Sequence, residues 1–207
     1  MSESESGRSY TNGLFISQEG KGVPYWGDGV LRDDGDANYG FKNLKGHPER
    51  LATIPELQRD EALWDCVTLL NEAGSAFGTI GCVSAPITDP QGHRVSGYIE
   101  FAFDSAEQIA DAASYFPVFF NFDAALNRVK FDDKVHYHWE LMGATFRHTD
   151  SPGFTMTVTV NTGWYETAEN AGIAWANGID FLTGFLRRST VMAVSLRSPQ
   201  SQVMPIG

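Results

Sequence analysis

The stretch Thr79–Phe103, TIGCVSAPITDPQGHRVSGYIEFAF, decides the fold class. Two β-prone runs, Thr79–Ile87 and Val95–Phe103, flank Asp89-Pro90-Gln91-Gly92. In that turn Pro presets φ and Gly supplies the backbone freedom a chain reversal needs. The second run alternates cleanly. Val95, Gly97, Ile99, Phe101 and Phe103 share one face, and Ser96, Tyr98, Glu100 and Ala102 take the other. A β-hairpin with one buried face is predicted.

Downstream the pattern recurs. Lys134–His148 and Phe154–Thr162 are joined by Thr149-Asp150-Ser151-Pro152-Gly153, a second hairpin. Val135, Tyr137, Trp139 and Leu141 form one face of its first strand. In its second strand Phe154, Met156, Val158 and Val160 oppose a polar face of Thr155, Thr157, Thr159 and Asn161.

Helical periodicity surrounds these hairpins. Thr53 is a candidate N-cap with Glu56 at the capping-box position, before an apolar stripe of Leu63, Val67 and Leu70 that Gly74 stops. Ser105 caps a second helix with apolar face Ile109, Ala112, Ala113 and Phe116. Pro117 must end or kink it, with a further turn through Phe119, Phe120 and Leu126. A third helix spans Glu166–Arg188, where Trp175, Ile179, Leu182 and Leu186 repeat at helical spacing, with Arg187 and Arg188 at its negative C-terminal end. Val191–Leu196 reads as a closing strand, and Leu14–Ser17 as a short early one. Strand pairs interleaved with helices, without a βαβ rhythm, predict an α+β fold: one domain over residues 10–198, with polar tails at 1–9 and 199–207. Its antiparallel sheet is built from the two hairpins plus the C-terminal strand and packs with about three helices.

Composition supports a packed core, since 42% of the 207 residues are hydrophobic and 13% aromatic. A chain of this length buries roughly 70% of its unfolded surface, so no disulfide or metal staple is required. Cys66 falls in a helical pattern and Cys82 in a strand pattern, outside any CxxC or Cys/His cluster, as structural thiols in a reducing compartment would. No secretory signal or bilayer-length apolar segment is read, so a soluble cytoplasmic protein is expected.

The charge is one-sided: 26 acids against 15 Lys and Arg give a formal net charge of −11. The deficit lies in the first two thirds, and no basic stripe offsets it, which disfavours nucleic acid as a partner. A shaped negative surface for a basic polypeptide is the reading this favours. Asp104, Glu107 and Asp111 fall at i, i+3 and i+7 on one face of the expected second helix. No Lys or Arg lies between Arg94 and Arg128, so these acids, with Glu100 and Asp123, stand uncompensated along the chain. A second acidic group, Asp28, Asp33, Asp34 and Asp36, crowds the Gly-rich segment GDGVLRDDGD beside Tyr25, Trp26 and Tyr39. Those aromatics could anchor a partner or pin the loop to the body.

Catalytic motifs are scarce. There is no phosphate-binding Gly-rich loop after a strand, no nucleophile elbow and no EF-hand spacing. His136 and His138 project to one face of a strand with Glu140, and His148 could join them. They offer the alternative of a small-molecule or metal-binding α+β enzyme, set against surface packing residues. No metal or other cofactor is assigned.

The Tyr25-Trp26-Gly27 segment with Arg32 after it, the Leu57–Trp64 helix and the Trp139-centred strand resemble immunity protein family 52, from about Leu14 to Leu196. The resemblance implies a small cytoplasmic α+β protein without catalytic residues. Such a protein binds and neutralises a cognate antibacterial toxin, commonly a nuclease effector, including those of the type VI secretion system. In this chain the carboxylates and aromatics above, Asp104, Glu107, Asp111, Asp28, Asp33, Asp34, Asp36, Tyr25, Trp26 and Tyr39, would then meet the toxin's basic groove.

Overall fold

The structure, a computed structural model, describes residues 10–23, 43–129, 133–147 and 149–195. In chain order the elements are β1 (Tyr10–Val23), α1 (Glu61–Asn71), β2 (Phe77–Asp89), β3 (Gly92–Phe103), α2 (Ala106–Ala110), α3 (Phe116–Leu126), β4 (Val135–Phe146), β5 (Ser151–Thr162) and α4 (Ala168–Ser195). The α+β class is as expected, and both hairpins form. Gly92 takes φ 126° at the first turn, where a Cβ would also strike the carbonyl of Tyr165. Asp150 takes φ 50° at the second, a position Asp tolerates.

The sheet order is β1-β4-β5-β3-β2. It is mixed rather than antiparallel, because β1 runs parallel to β4, with Tyr10 beside Val135 and Leu14 beside Trp139. The long β1 replaces the short strand expected at Leu14–Ser17. Tyr10, Asn12 and Leu14 then lie in line with Val135, Tyr137 and Trp139, on the same face of the sheet. Polar side chains lock this edge. The Trp139 indole N–H donates to Asn12 Oδ1 at 2.9 Å, the Asn12 amide donates to Asp123 Oδ1 at 3.1 Å, and the Tyr10 hydroxyl donates to Asn127 Oδ1 at 3.2 Å.

The C-terminal strand is overturned as well. Residues 191–195 continue α4, since a short apolar run does not distinguish helix from strand when a helix already leads into it. Arg187 and Arg188 therefore lie within α4 rather than at its end. Pro117 also acts differently from the expectation. It begins α3 in the first turn, where its missing N–H costs nothing, instead of ending a preceding helix. Thr53 is not the cap of α1. It closes a short 3₁₀ turn, its hydroxyl donating to the Arg50 carbonyl at 2.7 Å, and Asp60 caps α1 by accepting the Leu63 N–H at 2.9 Å.

One face of the sheet carries the main core. Ile99, Phe101, Tyr137, Trp139, Met156, Val158 and Val160 are buried there with Leu63, Val67 and Leu70 of α1 and Ile179, Leu182 and Leu186 of α4. Phe122 of α3 sits among Tyr137, Trp139, Phe181 and Phe185, with ring centroids 4.9–5.5 Å apart. Each such pair adds about 0.5–1.5 kcal/mol beyond area burial. The Tyr137 hydroxyl donates to the Gly178 carbonyl at 3.0 Å, which tethers α4 to the sheet. On the opposite face, hereafter the far face, Val23, Ala102, Ala144 and Phe146 form a smaller cluster beneath Ile109 of α2. No helix among the described residues is long and apolar enough to cross a membrane.

Candidate functional site

The carboxylates picked from the sequence do not share one helical face. Ser105 does cap α2, accepting from the Gln108 N–H, but α2 ends after five residues at Ala110. Asp111 ends it. Its backbone is extended (φ −111°, ψ 110°) and its side chain accepts the Ala113 N–H at 2.9 Å, starting a 3₁₀ turn. Short acidic side chains compete in this way with helix continuation. Asp104 precedes the helix, its N–H donating to the Ala76 carbonyl at 2.8 Å. Only Glu107 sits on α2 itself, exposed to solvent.

Two of the five acids, Asp104 and Glu100, are compensated by cations in space. Lys45 Nζ lies 3.7 Å from Asp104 Oδ2 while donating to the carbonyls of Ser75 and Phe77 at 2.6 Å each. Burial pulls the Lys45 pKa down, and Asp104 only partly restores it. Glu100 is buried on the far face and pairs with Lys21 at 2.5 Å. Asp123 is occupied by Asn12 and Asn127. Lys21 and Lys45 come from far along the chain, so no inspection of the Arg94–Arg128 interval could find them.

Asp28, Asp33, Asp34, Asp36, Tyr25, Trp26 and Tyr39 lie outside the described residues, as do Gly27, Arg32 and His148. His136 and His138 stand exposed on the far face, as their alternation requires, with Glu140 half-buried beside them. Each imidazole has a local partner. His136 Nδ1 is 2.9 Å from the Thr11 hydroxyl, and the His138 ring stacks on Phe15 with centroids 6.5 Å apart. Among the described residues no three His, Cys, Asp or Glu side chains converge as a metal site would require.

One acidic locus was not read from the sequence. It follows the seam between α1 and α4. Asp65 and Asp180 are both exposed there, and Asp180's carboxyl is raised above the ordinary Asp range by partial burial and by the charge of Asp65. Neither has a Lys or Arg at ion-pair distance among the described residues. Glu61, one turn before Asp65, extends the patch along α1. The signal was present only as a helical stripe, because the packing of α1 on α4 lay beyond local pattern. Asp60, at the start of the same seam, is committed to structure: it accepts the Trp175 indole N–H at 2.7 Å as well as capping α1.

The thiols are chemically quiet. Burial pushes Cys66 and Cys82 each up to about 12, and neighbouring carboxylates, Asp180 and Asp65 for Cys66 and Glu56 and Asp60 for Cys82, push the same way. A shallow depression of about 790 Å³ opens on the far face between Lys21, Gly22, Ala144, Arg147 and Gly153. The Arg147 guanidinium lies directly over Gly22, in the space a Cβ would take.

Comparisons with protein-family models, with curated proteins and with solved structures found no match to this chain.

Proposed function

We propose that this chain is an immunity protein, which binds a cognate antibacterial toxin, a basic nuclease effector of the type VI class, and neutralises it by occupying its positive substrate groove. The observation that carries the reading is the α1–α4 seam, where Asp65 and Asp180 are exposed with no Lys or Arg at ion-pair distance among the described residues, and where partial burial and then the charge of Asp65 raise the Asp180 carboxyl. In a chain of net charge −11, such a pair is relieved by cations brought from outside. Glu107 adds a second exposed carboxylate in the region first singled out, and the acidic segment with Asp28, Asp33, Asp34 and Asp36 would add to the same field. Asp104 and Asp111 contribute charge there while serving the backbone and Lys45. Complementary charge of this kind speeds encounter and fixes orientation, and buried aromatic anchors such as Trp26, Tyr25 and Tyr39 would supply the affinity. A toxin acting on cytoplasmic nucleic acid would place its inhibitor in the cytoplasm.

The test is calorimetric titration of the purified chain against the polypeptide encoded by the adjacent gene, at low and at high salt. Tight binding that weakens with salt and falls when Asp65→Lys and Asp180→Lys are combined supports the reading. Absence of binding to that polypeptide, with the chain folded, sinks it. Binding untouched by these substitutions and by Glu107→Lys would retain the function and displace the site.

A further inference from the structure

The described surface exposes five large hydrophobic side chains: Phe15 at 52%, Ile16 at 49%, Phe120 at 62%, Val129 at 39% and Ile173 at 51%. Four of them belong to a single border of the molecule. Phe15 and Ile16 are consecutive on β1, which pairs with β4 on one side and, among the described residues, with nothing on the other. Being consecutive on a strand, they point to opposite faces and flank the open edge on both sides. Phe120 lies on α3, one turn before Asp123 and two before Asn127. These two residues reach Asn12 and Tyr10 of β1, so the helical stripe that carries Phe120 runs along the same edge. Val129 follows α3 at the Tyr10 end.

Edge strands are normally blunted by Pro, Lys, bulges or covering elements, because unpaired N–H and C=O groups recruit further strands. The other edge of this sheet, β2, is blunted: it carries Pro86 and a register shift between Thr79 and Gly81. From Tyr10 to Ile16 β1 has no such device. Its ladder stays regular there, and the run YTNGLFISQ over residues 10–18 contains no charge and no Pro.

We infer that the β1 edge is a homodimer interface, on which a second copy of this chain docks its own β1 antiparallel across a two-fold axis, joining two five-stranded sheets. Charge selects this occupant. A basic partner would be drawn to the carboxylates, and the regular run of this border, residues 10–16, offers none: Glu19 lies beyond it, and Asp123 of α3 is occupied by Asn12 and Asn127. Two copies at −11 repel everywhere except along an uncharged border, and the same strand from each copy supplies one. With the axis through Phe15, the two Phe15 side chains meet on one face, Leu14 of each copy falls opposite Ile16 of the other on the opposite face, and Glu19 falls opposite Thr11 rather than another Glu19. No like charges are paired.

The experiment is sedimentation equilibrium of the full chain, with hydrogen exchange followed at high and low protein concentration. A dimer is expected whose dissociation constant falls as salt screens the residual repulsion. Amides of residues 10–16 should gain protection as concentration rises. Ile16→Lys and Phe120→Lys, each at an exposed position, should weaken the dimer by about tenfold or more while far-UV circular dichroism and thermal melting stay those of the parent. A monomer at every concentration overturns the inference. So does a dimer indifferent to both substitutions, or β1 amides equally protected at all dilutions, which would mean the chain covers its own edge. None of these outcomes bears on toxin binding.

Discussion

Replacing Asp60 with Ala removes two interactions with one side chain. The carboxylate accepts the Leu63 N–H at 2.9 Å as N-cap of α1, and the other oxygen accepts the indole N–H of Trp175 at 2.7 Å. Loss of an N-cap costs about 1 kcal/mol. The indole cannot turn to water in compensation, because Trp175 is only 4% exposed. Stranding a buried donor adds about 1–3 kcal/mol. The sum is about 2–4 kcal/mol, or roughly 4–16 °C in melting temperature for a chain of this size. Asp60→Asn keeps one acceptor oxygen, enough for the cap or for the indole but not for both, and should cost about 1–3 kcal/mol. Urea unfolding followed by tryptophan fluorescence measures both variants at constant m-value. If Asp60→Ala stays within about 0.5 kcal/mol of the parent, or if Asp60→Asn is neutral, the double role assigned to this side chain is refuted.

Other perturbations probe separate parts of the molecule. Lys21→Ala leaves Glu100 in a nearly closed environment and should cost about 3 kcal/mol, whereas Lys21→Met with Glu100→Leu together should cost less than Lys21→Ala, as denaturant midpoints would reveal. Asp180 holds its proton to higher pH in the folded than in the unfolded state, so its ionisation lowers stability as pH rises through the raised value. Asp180→Asn should therefore stabilise at neutral pH, and the gain should vanish below the ordinary Asp range. Cys66 should resist a thiol-specific chromogenic reagent at neutral pH and react once urea unfolds the chain, and half-buried Cys82, its thiol raised to about 12, should react slowly; rapid native labelling of Cys66 would contradict its burial. At Gly97 a Cβ would collide with the Val83 carbonyl and the Trp175 ring, so Gly97→Ala should cost about 1–3 kcal/mol on thermal melting.

The parts of the fold legible in sequence were those governed by neighbours in the chain. Alternation through Ile99, Phe101 and Val158 and the turn residues at Asp89–Gly92 sufficed for the hairpins, because strand period and reversal are local properties. The parallel pairing of β1 with β4 was not legible, since nothing in YTNGLFISQ announces a partner that lies beyond five other elements. The same limit governed the site. Spacing could place Asp104, Glu107 and Asp111 on one face only if the helix continued, and Asp111's own side chain stopped it. His136 and His138 landed on one face as predicted, where Thr11 and Phe15, from another strand, meet them. Asp65 and Asp180 are 115 positions apart, and only the packing of α1 against α4 brings them within electrostatic reach.

The parallel junction of β1 with β4 also sets an order of events during synthesis. Thr11 and His136, hydrogen-bonded neighbours in the finished sheet, are separated by 125 positions. At about 5–20 residues per second, the first strand leaves the ribosome roughly 6–25 s before its mate exists. For that interval Phe15 and Ile16 travel on a strand that still lacks its β4 partner, open to chaperones that hold extended apolar peptides.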